Sequence, residues 1–295
     1  MKVALFGSRG YLGRQLSCDL KRRGAEVYDF DIPECDVTDS SFWQVFDPSV
    51  YDSILFFAGK TGTEKSFTEA DSFCAVNELG LLGLLKRLTP LGENAPKVIF
   101  PSSRLVYKGA EAALREDDPK EAKTVYAANK LACEYLLQAY HVRYGLPYVV
   151  ARICVPYGSL VPGAYSYGTV GFFVKQAETG RQITLYGDGR TWRTFTHVGD
   201  IAEAVYRLSQ DGGVGVFNVG GMKYSLEEVA RMIAKRKGAR VEFVPWPELA
   251  HRLESGSTFF DASKLDMAIG LLTYRDIASF VDEVCTDTTL EGCAK

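Results

Sequence analysis

The sequence predicts an α/β fold built on a doubly wound parallel sheet, with a smaller C-terminal α/β domain after it. Three observations predict this. A short β-rich run, Lys2 to Phe6, leads into the loop Gly7-Ser8-Arg9-Gly10-Tyr11-Leu12-Gly13 and then into a stretch whose Leu12, Leu16 and Leu20 recur every four residues. The later runs Ser53 to Phe57 and Lys97 to Phe100 are apolar without alternation, as strands buried on both faces are. Helix-period stretches separate these runs, so strand and helix alternate through the first half of the chain.

Composition bounds the possibilities. The 295 residues suffice for a core that needs no metal or disulfide, and 46% hydrophobic with 24% charged residues is ordinary for a globular protein. A formal net charge of −3 offers no attraction to nucleic acid or an anionic membrane, so small molecules are the expected partners. The cysteines, Cys18, Cys35, Cys74, Cys133, Cys154, Cys285 and Cys293, are odd in number and include no C-x-x-C pair, which predicts neither a metal site nor a disulfide framework and suggests a reducing cytoplasm. The opening apolar run is too short for a secretory signal, and no later run reaches membrane-spanning length.

Strand, glycine loop and helix at the start form a dinucleotide-binding signature. The glycines let the backbone turn and approach a pyrophosphate, while N–H groups at the helix start point at its charge. Arg9, Tyr11 and Leu12 belong to the same loop. Lys21-Arg22-Arg23 before Gly24 suits the helix C-terminus. Asp31 falls where a carboxylate would hold the adenosine ribose and repel a 2′-phosphate; Asp29, at the same strand end, adds weight to NAD. Arg9 could reach a 2′-phosphate, which keeps NADP as the alternative. Asp36-Val37 reads as a turn or an adenine contact. The next strand ends in Phe57-Ala58-Gly59, small enough at its tip for a cofactor to lie close. Leu79, Leu82 and Leu85 then predict a helix with Asn77 near its start, and Lys97 to Phe100 ends at Pro101-Ser102-Ser103, where a doubly wound sheet places its chemistry.

Tyr126 and Lys130 lie four residues apart, one turn along a helix, and so present a phenol and an ammonium to one side. A nearby cation favours phenolate and prepares a tyrosine for general base work. On the same helix Ala127, Ala128, Leu131, Ala132, Tyr135, Leu136, Ala139 and Tyr140 form an apolar face, while Lys130, Glu134, Gln138 and His141 continue the polar column that Tyr126 begins. The apolar face leaves room for a second helix from a homodimer partner. Pro147 to Ile153 is the next strand. Pro156 to Arg193 departs from the pattern and is rich in Gly, Tyr and Phe, as a substrate cover would be. Phe172 and Phe173 are expected to pack; Tyr165 and Tyr167 stack on a base or pack beneath a lid. Asp200 with Glu203 reads as a capping box, Val216 to Val219 as a strand, and Ser225-Leu226-Glu227-Glu228 as a capped helix start with its stop at Gly238. The expected division is residues 1–158, rejoined by 194–220, for the dinucleotide, and 159–193 with 221–295 for the substrate.

In order and spacing these pieces resemble the extended short-chain dehydrogenase/reductases that act on nucleotide sugars, the NAD-dependent epimerase/dehydratase family. The resemblance rests on the Gly7/Gly10/Gly13 loop, Asp31, Asp36-Val37, Ala58-Gly59, Asn77 and Ser103 ahead of Val106-Tyr107. It continues through Tyr126/Lys130, Arg152 with Tyr157-Gly158, and Gly187-Asp188-Gly189 to Asp200. It implies a Rossmann-like fold and a catalytic set of Ser103, Tyr126 and Lys130, with Tyr126 as the acid/base, Ser103 on the same sugar oxygen and Lys130 on the nicotinamide ribose. It implies that Arg193 and, through a looser match, Arg252 bind substrate phosphates. Ser103 and Arg104 are further candidates for substrate contact, and His197 reads as a structural strand residue rather than a base. Dehydratases of the family follow the catalytic hydroxyl with an Asp-Glu pair that performs elimination; here Arg104 and Leu105 stand there. GDP-fucose synthase-like enzymes carry a cysteine at the place of Leu105. Val155 replaces an asparagine that contacts substrate in many relatives, and Thr194 an aspartate. The expectation is therefore an NAD-dependent nucleotide-sugar epimerase acting through a keto-sugar, with an NAD(P)H-dependent keto-sugar reductase second and a non-catalytic dinucleotide sensor as the reading from another class.

Overall fold

The computed structural model describes residues 1–161, 168–210 and 213–286. Its centre is a six-stranded, all-parallel sheet. The strands are β1 (Lys2–Phe6), β2 (Glu26–Phe30), β3 (Ser53–Phe56), β4 (Lys97–Ser103), β5 (Tyr148–Ile153) and, after β6 (Val155–Tyr157), β7 (Ile183–Tyr186) and β8 (Trp192–His197), β9 (Gly215–Asn218). Their spatial order is β2-β1-β3-β4-β5-β9. The unbroken apolar runs follow from burial on both faces. Ala4, Phe6, Ile54, Phe56, Val98 and Phe100 point to one side, while Val3, Leu5, Leu55, Ile99, Val149 and Ala151 point to the other.

Helices cover both sides. The second face lies under α1 (Tyr11–Arg22), which brings Leu16 and Leu20. The first lies under α2 (Ser40–Val45) and, beyond the short α3 (Lys65–Thr68) and α4 (Ala70–Cys74), α5 (Gly80–Leu88) and α6 (Val125–Tyr144). After α7 (Gly168–Glu178), α8 (Val198–Gln210) returns to the second face with Ile201, Val205 and Leu208. Successive connections leave β1 in opposite directions along the sheet, so the carboxyl ends of β1 and β3 border a crevice.

A second body forms around β6, β8 and β10 (Met222–Ser225), with a two-stranded pair of β7 and β11 (Val241–Val244) beside it. Its core joins α7, α9 (Leu226–Lys237) and, past α10 (Glu248–Leu253) and α11 (Ser263–Ile269), α12 (Ile277–Thr286), through Val170, Phe173, Val229, Ile233, Ile277 and Val281. α9 has the capping box anticipated at Ser225 and Glu228, and it ends at Gly238 with φ +65°. β6, inside the stretch assigned to the first domain, pairs with β8 of the second body, so the chain crosses between the two next to Cys154.

Four expectations need correction. Residues 75–79 form a π-helical turn between α4 and α5. Its extra residue rotates α5 about its axis, so Leu81, Leu84, Leu85 and Leu88 face the core, Leu82 is only half-buried and Leu79 is 61% exposed. On α6 the inner face carries Ala127, Lys130, Cys133, Glu134 and Leu137, whereas Ala128, Tyr135 and Ala139 face outward. Charges inside are tolerated there because each meets a partner. Asp200 is not an N-cap: α8 begins two residues earlier, and the Asp200 carboxylate pairs with Arg275 while Glu203 pairs with Arg23 and Arg207. Phe172 is half-exposed, and only Phe173 packs inside; Tyr165 and Tyr167 lie outside the described residues. The cysteines with described side chains, Cys18, Cys35, Cys74, Cys133 and Cys154, are free thiols. Among the described residues, no helix is long and apolar enough to cross a membrane, and no cluster of His, Cys, Asp and Glu could hold a metal ion.

Candidate active site

A cavity of about 680 Å³ opens at the crevice between β1 and β3 and runs toward the second body. The glycine loop forms one wall. A Cβ on Gly7, whose φ is +80°, would come within 2.5 Å of the Ala58 nitrogen, and one on Gly13 would lie 2.0 Å from the Gly7 carbonyl oxygen. Only glycine lets α1 sit this close to the loop. Gly10 starts α1 without a side-chain cap, and no acid occupies the first turn, so the positive end of the helix faces the cavity unopposed. This cradle fits a dinucleotide's pyrophosphate, with Tyr11, Leu12, Phe57 and Gly59 lining the space around it.

Asp31 lies outside this cavity, past the end of β2. Its Oδ2 accepts the Arg9 N–H at 2.6 Å and its Oδ1 that of Ile32 at 2.8 Å, which ties the end of β2 to the glycine loop. The Arg9 side chain turns to Glu34, 2.8 Å away, so its charge is already met. Asp29 is committed to Lys21 and Ser17 on α1. Other residues expected at the cofactor do not line the cavity and have structural partners instead. Asp36 closes a turn onto Thr38. Val37 is core, its carbonyl accepting the Trp43 indole N–H at 2.8 Å. Ala58 packs against the first core face. Asn77, placed by the π-turn, accepts the Lys60 N–H at 2.7 Å and donates to its carbonyl at 3.1 Å, holding the loop after β3 from behind.

Ser103 ends β4, and its Oγ accepts the Leu105 N–H at 3.2 Å. Tyr126 is in the first turn of α6, which Thr124 caps through the Ala127 N–H at 3.0 Å. One turn on, the buried Lys130 donates from Nζ to the Pro101 carbonyl at 2.8 Å and lies 5.9 Å from the centre of the Tyr126 ring. Burial pulls the Lys130 pKa down to about 8, against the opposing pull of Cys133 and Glu134. All three side chains line the one cavity.

Behind them lies a buried network that residue spacing alone did not single out. Glu134 accepts from Arg152 Nε at 3.0 Å and Nη2 at 2.5 Å, and from Ser102 Oγ at 2.5 Å. Arg152 Nη1 also donates to Tyr107 Oη at 2.6 Å, and that phenol donates to Asn218 Oδ1 at 2.7 Å. The signal for it was an arginine inside an otherwise apolar strand, which requires a buried acid. Thr61, Gly62, Thr63 and Cys154 also line the cavity and were not foreseen; the Gly-Thr repeat just past a strand end was their only sequence cue.

On the substrate side the expected arginines separate. Arg193 does not face the cavity: it is buried, with Nη2 2.9 Å from Glu254 and Nη1 donating to the Trp192 and Gly256 carbonyls at 2.9 and 2.7 Å. Burial, with the nearby charge of Arg104, pushes its pKa down to about 10. Arg252 is exposed on α10 and pairs with Glu248 one turn back. Arg104 does line the cavity, together with Leu105 and Val155, and its Nη1 donates to Thr258 Oγ1 at 3.2 Å. Thr194 accepts the Phe260 N–H at 2.8 Å. His197 is structural: its Nδ1 accepts the Gly199 N–H at 3.1 Å, and burial lowers its pKa to about 4.

Residues 3–220 match the family described as the NAD dependent epimerase/dehydratase family. The chain is 28% identical over 335 aligned positions to dTDP-L-rhamnose 4-epimerase of Burkholderia thailandensis, covering 93% of this chain and 90% of that protein. It is 28% identical over 218 positions to the dTDP-D-glucose 4,6-dehydratase of Mus musculus, a match that takes in 72% of this chain but spans only 60% of that enzyme's length. Among solved structures, the Thermus thermophilus UDP-glucose 4-epimerase complex with NAD aligns at a TM-score of 0.81 with 25% identity, over 97% of this chain and 100% of that one. DesIV, a dTDP-glucose 4,6-dehydratase from Streptomyces venezuelae with NAD and TYD bound, shares the fold at a TM-score of 0.84 and 21% identity, over 97% and 96% of the two chains.

Proposed function

This chain belongs to the NAD dependent epimerase/dehydratase family, and from that premise we propose that it epimerises a nucleotide sugar, oxidising one ring carbon to a keto-sugar and reducing it again from the other face with no net change in NAD. The observation that carries this reading is the make-up of the cavity. Ser103, Tyr126 and Lys130 line it, and no aspartate, glutamate or histidine does so among the described residues. Oxidation and return need one acid/base at the reacting hydroxyl. Elimination of water needs further acid/base groups at the neighbouring carbons, where Arg104 and Leu105 follow Ser103 instead.

In this reading Gly7, Gly10 and Gly13 take the pyrophosphate, Asp31 the adenosine ribose and Lys130 the nicotinamide ribose. Bound nicotinamide supplies a reversible two-electron acceptor. Tyr126 removes the proton of the sugar hydroxyl and later returns one to the same oxygen, while Ser103 Oγ hydrogen-bonds that oxygen and Lys130 favours phenolate at Tyr126. The Arg9–Glu34 pair and the Asp31 carboxylate support NAD over NADP. We assign the dinucleotide to the six-stranded sheet and its helices within residues 1–158 and 194–220, and the substrate cover to the second body, to which β6 and β8 belong. Exposed Tyr135 and Val142, two turns apart on α6, support the homodimer.

Incubation with NAD and a panel of UDP- and dTDP-sugars, followed by NMR of the products and absorbance of the nicotinamide, tests the reading. An epimer formed without net nicotinamide reduction is the expected outcome. Stoichiometric consumption of NAD(P)H would make the enzyme a reductase, a 4-keto-6-deoxy product would make it a dehydratase, and cofactor binding without turnover would make it a sensor.

A further inference from the structure

The cavity is lopsided in charge. Arg104 and Lys130 line it, with no acid among its described lining residues. Lys130 is spent on the Pro101 carbonyl and held beneath the Phe100 ring, 4.4 Å from its centre. Arg104 has only a neutral partner, the Thr258 hydroxyl at 3.2 Å, and no carboxylate among the described residues pairs with it. A guanidinium carries five N–H donors in a planar fork, so one contact through Nη1 leaves most of them for a ligand.

Arg193 offers the contrast. Thr258 lies between the two arginines, its side chain bound to Arg104 and its backbone bridged to Arg193. Arg193 has Glu254 as counter-charge and two carbonyls as further acceptors, so a phosphate could reach it only by displacing Glu254 from a buried pair. Of the two guanidinium groups beside Thr258, the one that lines the cavity is the one without a counter-ion.

We propose that Arg104, rather than Arg193, receives an oxyanion of the substrate, either a phosphate of the nucleoside diphosphate or a carboxylate on the sugar. This rests on the nucleotide-sugar reading above. It makes Arg104, directly after Ser103 in sequence, a specificity-determining residue, with Glu254 the reason Arg193 is not one.

Calorimetric titration of the NAD-loaded protein tests this without requiring turnover. Wild type, Arg104→Gln, Arg104→Lys and Glu254→Gln are each titrated with UDP, dTDP, UDP-glucose and UDP-glucuronate, with unchanged NAD affinity as the folding control. Arg104→Gln is expected to weaken binding about tenfold or more, with partial recovery in Arg104→Lys and an unchanged affinity in Glu254→Gln. Equal losses for all the nucleotides place a phosphate at Arg104, whereas a loss confined to UDP-glucuronate places the carboxylate there. The proposal is overturned if Arg104→Gln binds every ligand as wild type does, if Glu254→Gln tightens binding by freeing Arg193, or if wild type binds none of them. Arg104-dependent binding in a protein that turns over no sugar would sink the epimerase reading alone; epimerisation with affinities indifferent to Arg104 would sink this proposal alone.

Discussion

Tyr126 and Lys130 can be tested separately because the tasks proposed for them differ. Removing the phenol oxygen in Tyr126→Phe should leave NAD binding intact and lower turnover by about 10²–10⁴-fold, the range of a lost general acid/base; an unchanged rate in a product assay would refute its role. Lys130 holds its proton up to 10.5 as an ordinary lysine but only up to about 8 in the fold, because burial disfavours the charge. Between those values the unfolded chain binds a proton that the folded chain does not, so this residue makes stability rise with pH. Denaturant melts at pH 8 and pH 10 should show that rise in wild type relative to Lys130→Met, which has no proton to lose. Both residues were legible in the sequence because they are neighbours on one helix. Arg193 was not, since what removes it from the cavity is Glu254, 61 residues along the chain. A single sequence read by spacing shows local pairs and conceals distant ones.

At the scale of elements, the strand-loop-helix unit was fully legible, because glycine spacing is itself a statement about contact distance. Gly13→Ala would raise helix propensity in α1, yet the new methyl meets the Gly7 carbonyl. We expect a net destabilisation of about 1–3 kcal/mol and a loss of NAD affinity, read from a denaturant midpoint and a cofactor titration. α6 was legible as a helix but not in its orientation. Of the apolar face expected there, Ala127, Leu136 and Tyr140 do pack on the core while Ala128, Tyr135 and Ala139 point outward, and Lys130 and Glu134 turn inward. Glu134 faces inward because Ser102 and Arg152, on two different strands, bind it there. Glu134→Ala would strand the Arg152 charge and should cost about 3–5 kcal/mol in unfolding free energy. Replacing Glu134 and Arg152 together by apolar residues should cost much less than the sum of the two single losses, and a double-mutant loss equal to that sum would show that the pair contributes no coupling.

At the scale of the whole molecule, the two bodies meet near the junction of β8 and α8. There His197 packs edge-on to Tyr157 and near Phe280, and Arg275 reaches Asp200. His197 takes a proton near 6.5 when unfolded but only near 4 here, so stability should fall as pH drops through that window, and His197→Gln should flatten the slope of thermal melting against pH. The second body was the least legible part of the chain, since its strands are short and all three of its sheet pairings join segments with other structure between them. The position of β9 carries a consequence for how the protein is made. The outermost strand beside β5 comes from residues 215–218, and α8 before it covers the second face of the sheet. A ribosome that has released only the first 158 residues has therefore delivered five strands of the parallel sheet with β5 as a bare edge and the apolar side chains of Val149 and Ala151 uncovered, a template for pairing with other nascent chains. Expression of residues 1–158 alone should give aggregates, and a soluble cofactor-binding fragment should require α8 and β9 to be supplied, in the same chain or as a separate piece.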